Sequence, residues 1–251
     1  MKKITLTANI AFIAMGSVTS PYTYREFGAD WGSKFPTCLN GQFQSPINFE
    51  PAKVQQSLGL SITGLTKPGY FVEFGAADGI ALSNTFVLEK QFGWSGILCE
   101  PGTNWHQSLG QNRGCVIDTR CVYSVSGESV NFSENYLGEL SSITKFASSR
   151  KQGILKRTLA SYQVETVSLK DLLDFHKAPK NIEFLSIDTE GSEFEILNGF
   201  DFVAYSFGAI CVEHNFGPTR ELINSLLTKN GYAQVHADLS EFDDWYIHPT
   251  N

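Results

Sequence analysis

The chain has 251 residues, 42% hydrophobic and 18% charged, an ordinary composition for a globular protein. Its net charge is −7 and it has no run of Lys or Arg, so it lacks the basic footprint of a nucleic-acid-binding surface. The length accommodates one sizeable α/β domain plus an extension, and a domain of about 190 residues buries roughly 70% of its unfolded surface without staples.

Residues 1–20, MKKITLTANIAFIAMGSVTS, place two lysines ahead of an apolar stretch ending in small residues, the pattern of a secretory leader. The stretch is too short to cross a membrane as a helix, and no transmembrane span is expected. The five cysteines, Cys38, Cys99, Cys115, Cys121 and Cys211, contain no C-x-x-C pair, so no zinc cluster is indicated. Cys99 and Cys211 lie in the apolar runs GILCE and AICVE and read as buried strand thiols. Cys115 and Cys121 pair only if the fold brings them together.

Residues 21–60 form a separate extension. Within it, WGSKFPTCLNGQFQSPINF at 31–49 resembles the N-terminal segment of α-class carbonic anhydrases. That family binds zinc through three histidines, two of them in an H-x-H pair that strand alternation points at one metal. The histidines here are His106, His176, His214, His236 and His248; none are two apart and none lie in the resembling stretch. Zinc and hydratase activity are therefore not expected, and the extension reads as a fragment without its catalytic half.

Residues 61–251 read as the main domain. YFVEFG is a short buried strand, and SNTFVLEKQFG a helix with Ser83 or Asn84 as cap and Gly93 as stop. SGILCE is a second strand, and NWHQSLGQNRG a helix ending in Gly114. VETVSLKDLLDFH reads as strand, Ser168 cap and helix. IEFLSID and FGAICVE are apolar on both faces, which suits strands covered on both sides. GPTRELINSLLTKNG is a helix starting near Pro218 and stopping at Gly231. YAQVHADL and FDDWYIHP close the chain as an antiparallel pair. Strand–helix alternation of this kind predicts an α/β, doubly wound, Rossmann-like sheet with helices on both faces.

Ligands of such sheets bind beyond the carboxyl ends of the strands, where strand order reverses. The first strand ends in EFGAADG, Glu73 to Gly79, with Gly75 and Gly79 spaced G-x-x-x-G around Ala76 and Asp78. The middle glycine that lets a pyrophosphate approach is missing, and Asp78 would repel a phosphate. Carboxylates instead suit the sulfonium and ammonium groups of S-adenosylmethionine. Glu100, ending the second strand, is placed to accept hydrogen bonds from both ribose hydroxyls.

At these residues the resemblance becomes close. FVEFGAADGIALSNTFVLEKQFGWSGILCEP, NR at 112–113, FLSIDTEGSEFEILNGFDF and ICVEHNF resemble FkbM-type methyltransferases, a branch of the class I S-adenosylmethionine-dependent enzymes, over residues 66–249. The resemblance implies a seven-stranded sheet with its last strand antiparallel. It also implies methyl transfer, often to a hydroxyl oxygen of a glycan or small metabolite. By motif position, Glu73, Gly75, Ala76, Asp78 and Gly79 shape the cofactor loop and Glu100 holds the ribose; Asp118 or Ser126 is placed near adenine.

A hydroxyl acceptor must be positioned and must lose its proton. Asp188 and Glu190 lie at the mouth of the fourth strand in SIDTEGSEFEIL, and His214 follows Glu213 at the end of the fifth. Asp188, Glu190 and His214 are the candidate catalytic residues. Ser192 is expected to cap the next helix with Glu195 as capping-box acid, leaving Glu193 and Glu195 in a solvated first turn. A metal-free route with His214 or Asp188 as base is expected; the alternative is Mg²⁺ held by Asp188, Glu213 and Asn215. A catalytically idle cofactor-binding module is the competing function. The acceptor and the oligomeric state are not legible. The leader suggests export while the cofactor's supply suggests the cytoplasm.

Overall fold

The computed structural model describes residues 68–135, 138, 140–147, 158–237 and 242–248. Residues 1–60, where a leader and a carbonic-anhydrase-like fragment are expected from the sequence, lie outside the described residues. The first strand, β1 (Tyr70–Phe74), is followed by α1 (Phe86–Phe92), β2 (Ser95–Cys99), α2 (His106–Asn112) and β3 (Val116–Asp118). Next come β4 (Cys121–Tyr123), β5 (Ser129–Asn135), β6 (Ser142–Ile143), α3 (Thr144–Ala147) and β7 (Thr158–Ser168). The rest is α4 (Leu169–Phe175), β8 (Asn181–Ile187), α5 (Glu193–Asn198), β9 (Ser206–Glu213), α6 (Arg220–Lys229), β10 (Ala233–Val235) and β11 (Asp243–Ile247).

Seven strands form one sheet in the order β10-β11-β9-β8-β1-β2-β3. β11 runs antiparallel to β9 and to β10, while β9, β8, β1, β2 and β3 are parallel to their neighbours. This is the expected Rossmann-like architecture. Its order reverses between β1 and β8, which opens a crevice at their carboxyl ends.

Alternation along the strands splits the core in two. Val72, Phe74, Leu185, Ile187, Ile210 and Val212 pack with Leu172 of α4, Ile196 of α5 and Ile223 of α6. Phe71, Leu98, Phe184 and Cys211 pack on the other side with Leu88 of α1 and Leu109 of α2. Helices thus cover both faces. Cys99 and Cys211 are buried strand thiols, as expected, and Cys99, Cys115, Cys121 and Cys211 are free.

The stretch between β3 and α4 departs from the sequence-based expectation. It forms a second sheet, β4-β7-β5-β6, in which β7 pairs antiparallel with β5 and parallel with β4. Only the end of β7 has the apolar run that marks a covered strand; its burial otherwise alternates with solvent. Ser168 caps α4, accepting the Asp171 N–H at 3.1 Å. Helix α2 stops one residue early, because Arg113 is extended, with φ −117° and ψ 145°. No helix among the described residues is long and apolar enough to cross a membrane.

Candidate active site

The loop after β1 is shaped by close backbone approach. Gly75 has φ +75°, and a Cβ there would lie 1.9 Å from the Asp188 carbonyl oxygen. Its N–H donates to the Cys99 carbonyl at 3.0 Å, tying the loop to β2. Gly79 also has φ +75°, and its missing Cβ leaves room for Arg113 and Leu109. Ala77, Leu82 and Glu190 hold φ values of 46°, 64° and 58°, strain of about 1–2 kcal/mol each that gathers around the crevice. Gly75→Ala is expected to cost roughly 2–4 kcal/mol, from overpacking plus a left-handed alanine. Thermal unfolding checks it, and a parental melting temperature would show that this close approach is dispensable.

Beneath the loop is a buried ion network. Arg113 Nε donates to Glu89 at 2.6 Å, Nη1 to the Gly79 carbonyl at 3.0 Å and Ser83 at 2.9 Å, and Nη2 to Thr85 at 2.9 Å. Glu73 lies 3.8 Å from Arg113 and accepts from the Ser83 and Thr85 hydroxyls and the Asn84 N–H. The carboxylate of Glu73 is therefore occupied in holding the loop and the start of α1. The Ser83 hydroxyl accepts the Phe86 N–H at 3.1 Å, while Thr85 is the N-cap of α1. Asp78 accepts the N–H groups of Ile80 and Ala81, each at 2.8 Å, as a turn residue does.

A pocket opens over this loop, lined by Gly75, Ala77, Glu100, Trp105, Asp188 and Thr189 among others. Ala76, buried beside it, sends its N–H to the Cys99 carbonyl at 3.4 Å. Glu100 accepts from Ala77 N–H at 2.8 Å and from Gly102 N–H at 2.7 Å, joining the two loops. Burial pushes its carboxyl up to about 7 against these two hydrogen bonds, and nearby Glu134 adds to the rise. Asp118 is not at the pocket. It forms a fork with Arg120, at 3.0 and 2.6 Å, and meets His176 at 2.8 Å. Burial would raise its carboxyl, but Arg120 and His176 prevail and hold it low. Ser126 is engaged with Asp171 and the Ser168 N–H. Neither expected adenine neighbour lines the pocket.

Asp188 brings an acidic group to the pocket wall. Asp188, just past β8, shares a hydrogen bond with Glu213 at the end of β9. Burial, and then the charge of Glu190, push Asp188 well above the usual carboxylate range. Glu213 is raised by burial and by Asp188. Glu193 is buried, not solvated as expected. It accepts from Thr189 N–H, Thr189 Oγ1 and Gly191 N–H at 2.9–3.0 Å, fixing the turn that carries Glu190. Ser192 is the N-cap of α5 but makes no side-chain cap bond; its hydroxyl donates to Thr189.

His214 is not brought to these acids. Successive residues of a strand face opposite ways, and its ring lies with Asp244, at 3.7 Å, on the face away from Glu213. Its Nδ1 accepts the Phe216 N–H at 2.9 Å. Asn215 is exposed, and the acid grouped with Asp188 and Glu213 is Glu190. Sequence reasoning missed Arg113, Glu193 and Asp243; the pairing FDDW beside CVE was the available signal for the last.

The residues present fit S-adenosylmethionine: Gly75, Ala77, Glu100 and Asp188 line one pocket, with carboxylates suited to its ribose hydroxyls and its ammonium group. Residues 73–244 match the family model described as Methyltransferase FkbM domain; no family model supports the carbonic-anhydrase resemblance expected at 31–49. The crystal structure of precorrin-6y C5,15-methyltransferase from Geobacter metallireducens GS-15 is similar with a TM-score of 0.41 and 11% identity, covering 82% of this chain and 90% of that one. No curated protein matches the chain.

Proposed function

The chain belongs to the FkbM-domain methyltransferase family, and from that premise we propose that it methylates a hydroxyl oxygen of a glycan or small metabolite with S-adenosylmethionine. The observation that carries this reading is that Glu100 and Asp188 line the same pocket. When bound, S-adenosylmethionine supplies an electrophilic methyl group. Glu100 holds the ribose hydroxyls with the lone pairs left over from Ala77 and Gly102. Gly75, pressed against the Asp188 carbonyl, shapes the loop that lines the pocket. Asp188, backed by Glu213, orients the acceptor hydroxyl and draws on its proton. Supplying labelled S-adenosylmethionine with hydroxylated acceptors and their O-blocked counterparts tests the reading. Equal labelling of both would sink O-methylation.

Glu100→Gln keeps one acceptor oxygen and removes the charge, so S-adenosylhomocysteine binding is expected to weaken by roughly 1.5–3 kcal/mol. Donation from two hydroxyls favours the ionised carboxylate, which in the free protein forms near pH 7. The affinity of the parent is therefore expected to rise with pH through that value, and the Gln variant to lose this rise. Calorimetry from pH 6 to 8 reads both. Parental affinity in the variant would remove Glu100 from the ribose site.

A further inference from the structure

Just past β9 the backbone is strained twice in succession: Asn215 and Phe216 hold φ values of 42° and 55°. Asparagine tolerates the left-handed region, but a bulky phenylalanine there is an outlier. Burial of the ring does not compensate, because Phe216 is 65% exposed. Hydrogen bonds impose the turn. The His214 and Asn215 N–H groups donate to the Phe242 carbonyl at 2.7 and 3.3 Å, and the Gly217 N–H donates to the His214 carbonyl at 2.6 Å. The Phe216 N–H donates to Nδ1 of His214 at 2.9 Å, so that nitrogen carries no proton and the imidazole N–H is at Nε2. The His214 side chain is 1% exposed, too enclosed to meet a ligand itself. What it holds out is an aromatic ring. The rings of His214 and Phe242 lie 5.2 and 5.6 Å from that of Phe216, steeply inclined, and neither stacks flat on it. Strained backbone of this kind gathers at ligand clamps.

The strand ends locate this ring. β9 ends at Glu213, which is hydrogen-bonded to Asp188 of the pocket wall, and Phe242 leads into β11 directly opposite. Phe216 therefore stands at the carboxyl-end rim of the sheet, just beyond Glu213. We propose that Phe216 is an acceptor-binding residue, a platform on which the apolar C–H face of a neutral sugar ring stacks. His214 is its positioning residue: it stays off the acid group, as strand parity requires, and acts only through the Phe216 backbone. The proposal rests on the O-methylation reading and narrows its acceptor. Carboxyl oxygens of Asp188, Glu190 and Glu213 accept from the hydroxyls that edge such a ring, and their charge repels an anionic acceptor. An acyclic acceptor has no face to lay on the phenyl ring.

The test supplies the full chain and S-adenosylmethionine with neutral methyl pyranosides of gluco, galacto and manno configuration, beside a uronic acid and an acyclic polyol. Transfer that favours a pyranoside is expected. Phe216→Gly, which relieves the strain, should raise the KM for that pyranoside about tenfold, while the KM for S-adenosylmethionine and the melting temperature do not suffer. Phe216→Trp keeps an aromatic face and should keep the parental KM. His214→Asn places an oxygen where Nδ1 stands and should stay near the parent; His214→Gln, whose acceptor lies one bond further out, should behave like Phe216→Gly. Equal KM values in the two His214 variants would overturn the positioning role. A parental pyranoside KM in Phe216→Gly, or transfer that favours the uronic acid or the polyol, would overturn the platform and leave O-methylation standing. If no hydroxyl is methylated the proposed reaction fails, and the indole fluorescence of Phe216→Trp decides the platform alone: a saturable change with a methyl pyranoside supports it, and none overturns it.

Discussion

Arg113→Ala is expected to cost about 3–5 kcal/mol of folding stability, the effect of removing one partner from a buried ion group. The arginine side chain is fully buried, and its fork serves Glu89, Gly79, Ser83 and Thr85 at once. Without it, Glu73 loses its nearest cation, Glu89 keeps only Lys90 at 3.0 Å, and the loop carrying Gly75 to Gly79 loses its clamp. Arg113→Lys keeps the charge but not the fork, so it should recover only part of the loss. A pH signature separates this account from simple loss of volume. Burial would raise Glu89, but hydrogen bonds from Arg113, Gly114 and Lys90 prevail and lower it from 4.5 to about 2. Stability that depends on ionised Glu89 is thus present above 4.5 and lost as pH falls toward 2. Thermal unfolding between those limits should show a shallower acid loss in Arg113→Ala. An acid limb identical to the parent's would mean that the Arg113–Glu89 pair contributes nothing.

The strand ends were legible because a covered parallel strand writes itself as an apolar run with an abrupt polar stop. EFG, LCEP and SIDT each mark such a stop, and the fold brings Gly75, Glu100 and Asp188 to one pocket. Gly75 was readable too, since only the reversal of strand order presses its backbone against β8. Arg113 was not readable as more than part of a motif. Its partners lie 24 to 34 residues away, and nothing local in QNRG distinguishes a buried fork from a surface charge. Parity carried information that the sequence reading left unused. Glu213 and His214 are consecutive on a strand and face opposite sides, so both cannot serve one site. A general rule about first helical turns misled at Glu193 and Glu195: the first turned back to bind the turn, and the second has one carboxylate oxygen buried without a hydrogen bond among the described residues. The second sheet was illegible because its strands are short or half exposed, and their register depends on contacts between β5 and β7 some thirty residues apart.

Asp188→Asn is expected to remove most turnover, about 10²–10⁴-fold, while S-adenosylhomocysteine affinity stays close to the parent's. Asparagine keeps the size of the side chain and one acceptor oxygen, so the Gly75 contact, made by the Asp188 backbone, is undisturbed. What disappears is the charge at the end of the pocket, needed either to take the hydroxyl proton or to hold a cation that acidifies it. The same change should stabilise the cofactor-free protein. Burial and the charge of Glu190 raise the Asp188 carboxyl, so its ionisation opposes folding. The sign follows: for a raised carboxyl, stability is present below the unfolded value and declines as pH rises through the folded one. The variant should therefore gain melting temperature over the parent on the alkaline side and lose that advantage in acid. Stability that rises while activity falls is the behaviour of a group kept for chemistry at the expense of the fold. A second arm, Glu213→Gln with Asp188→Asn, should cost far less than the product of the two single losses, because the pair acts as a unit. Undiminished turnover in Asp188→Asn would take this residue out of the reaction, whichever route deprotonates the acceptor.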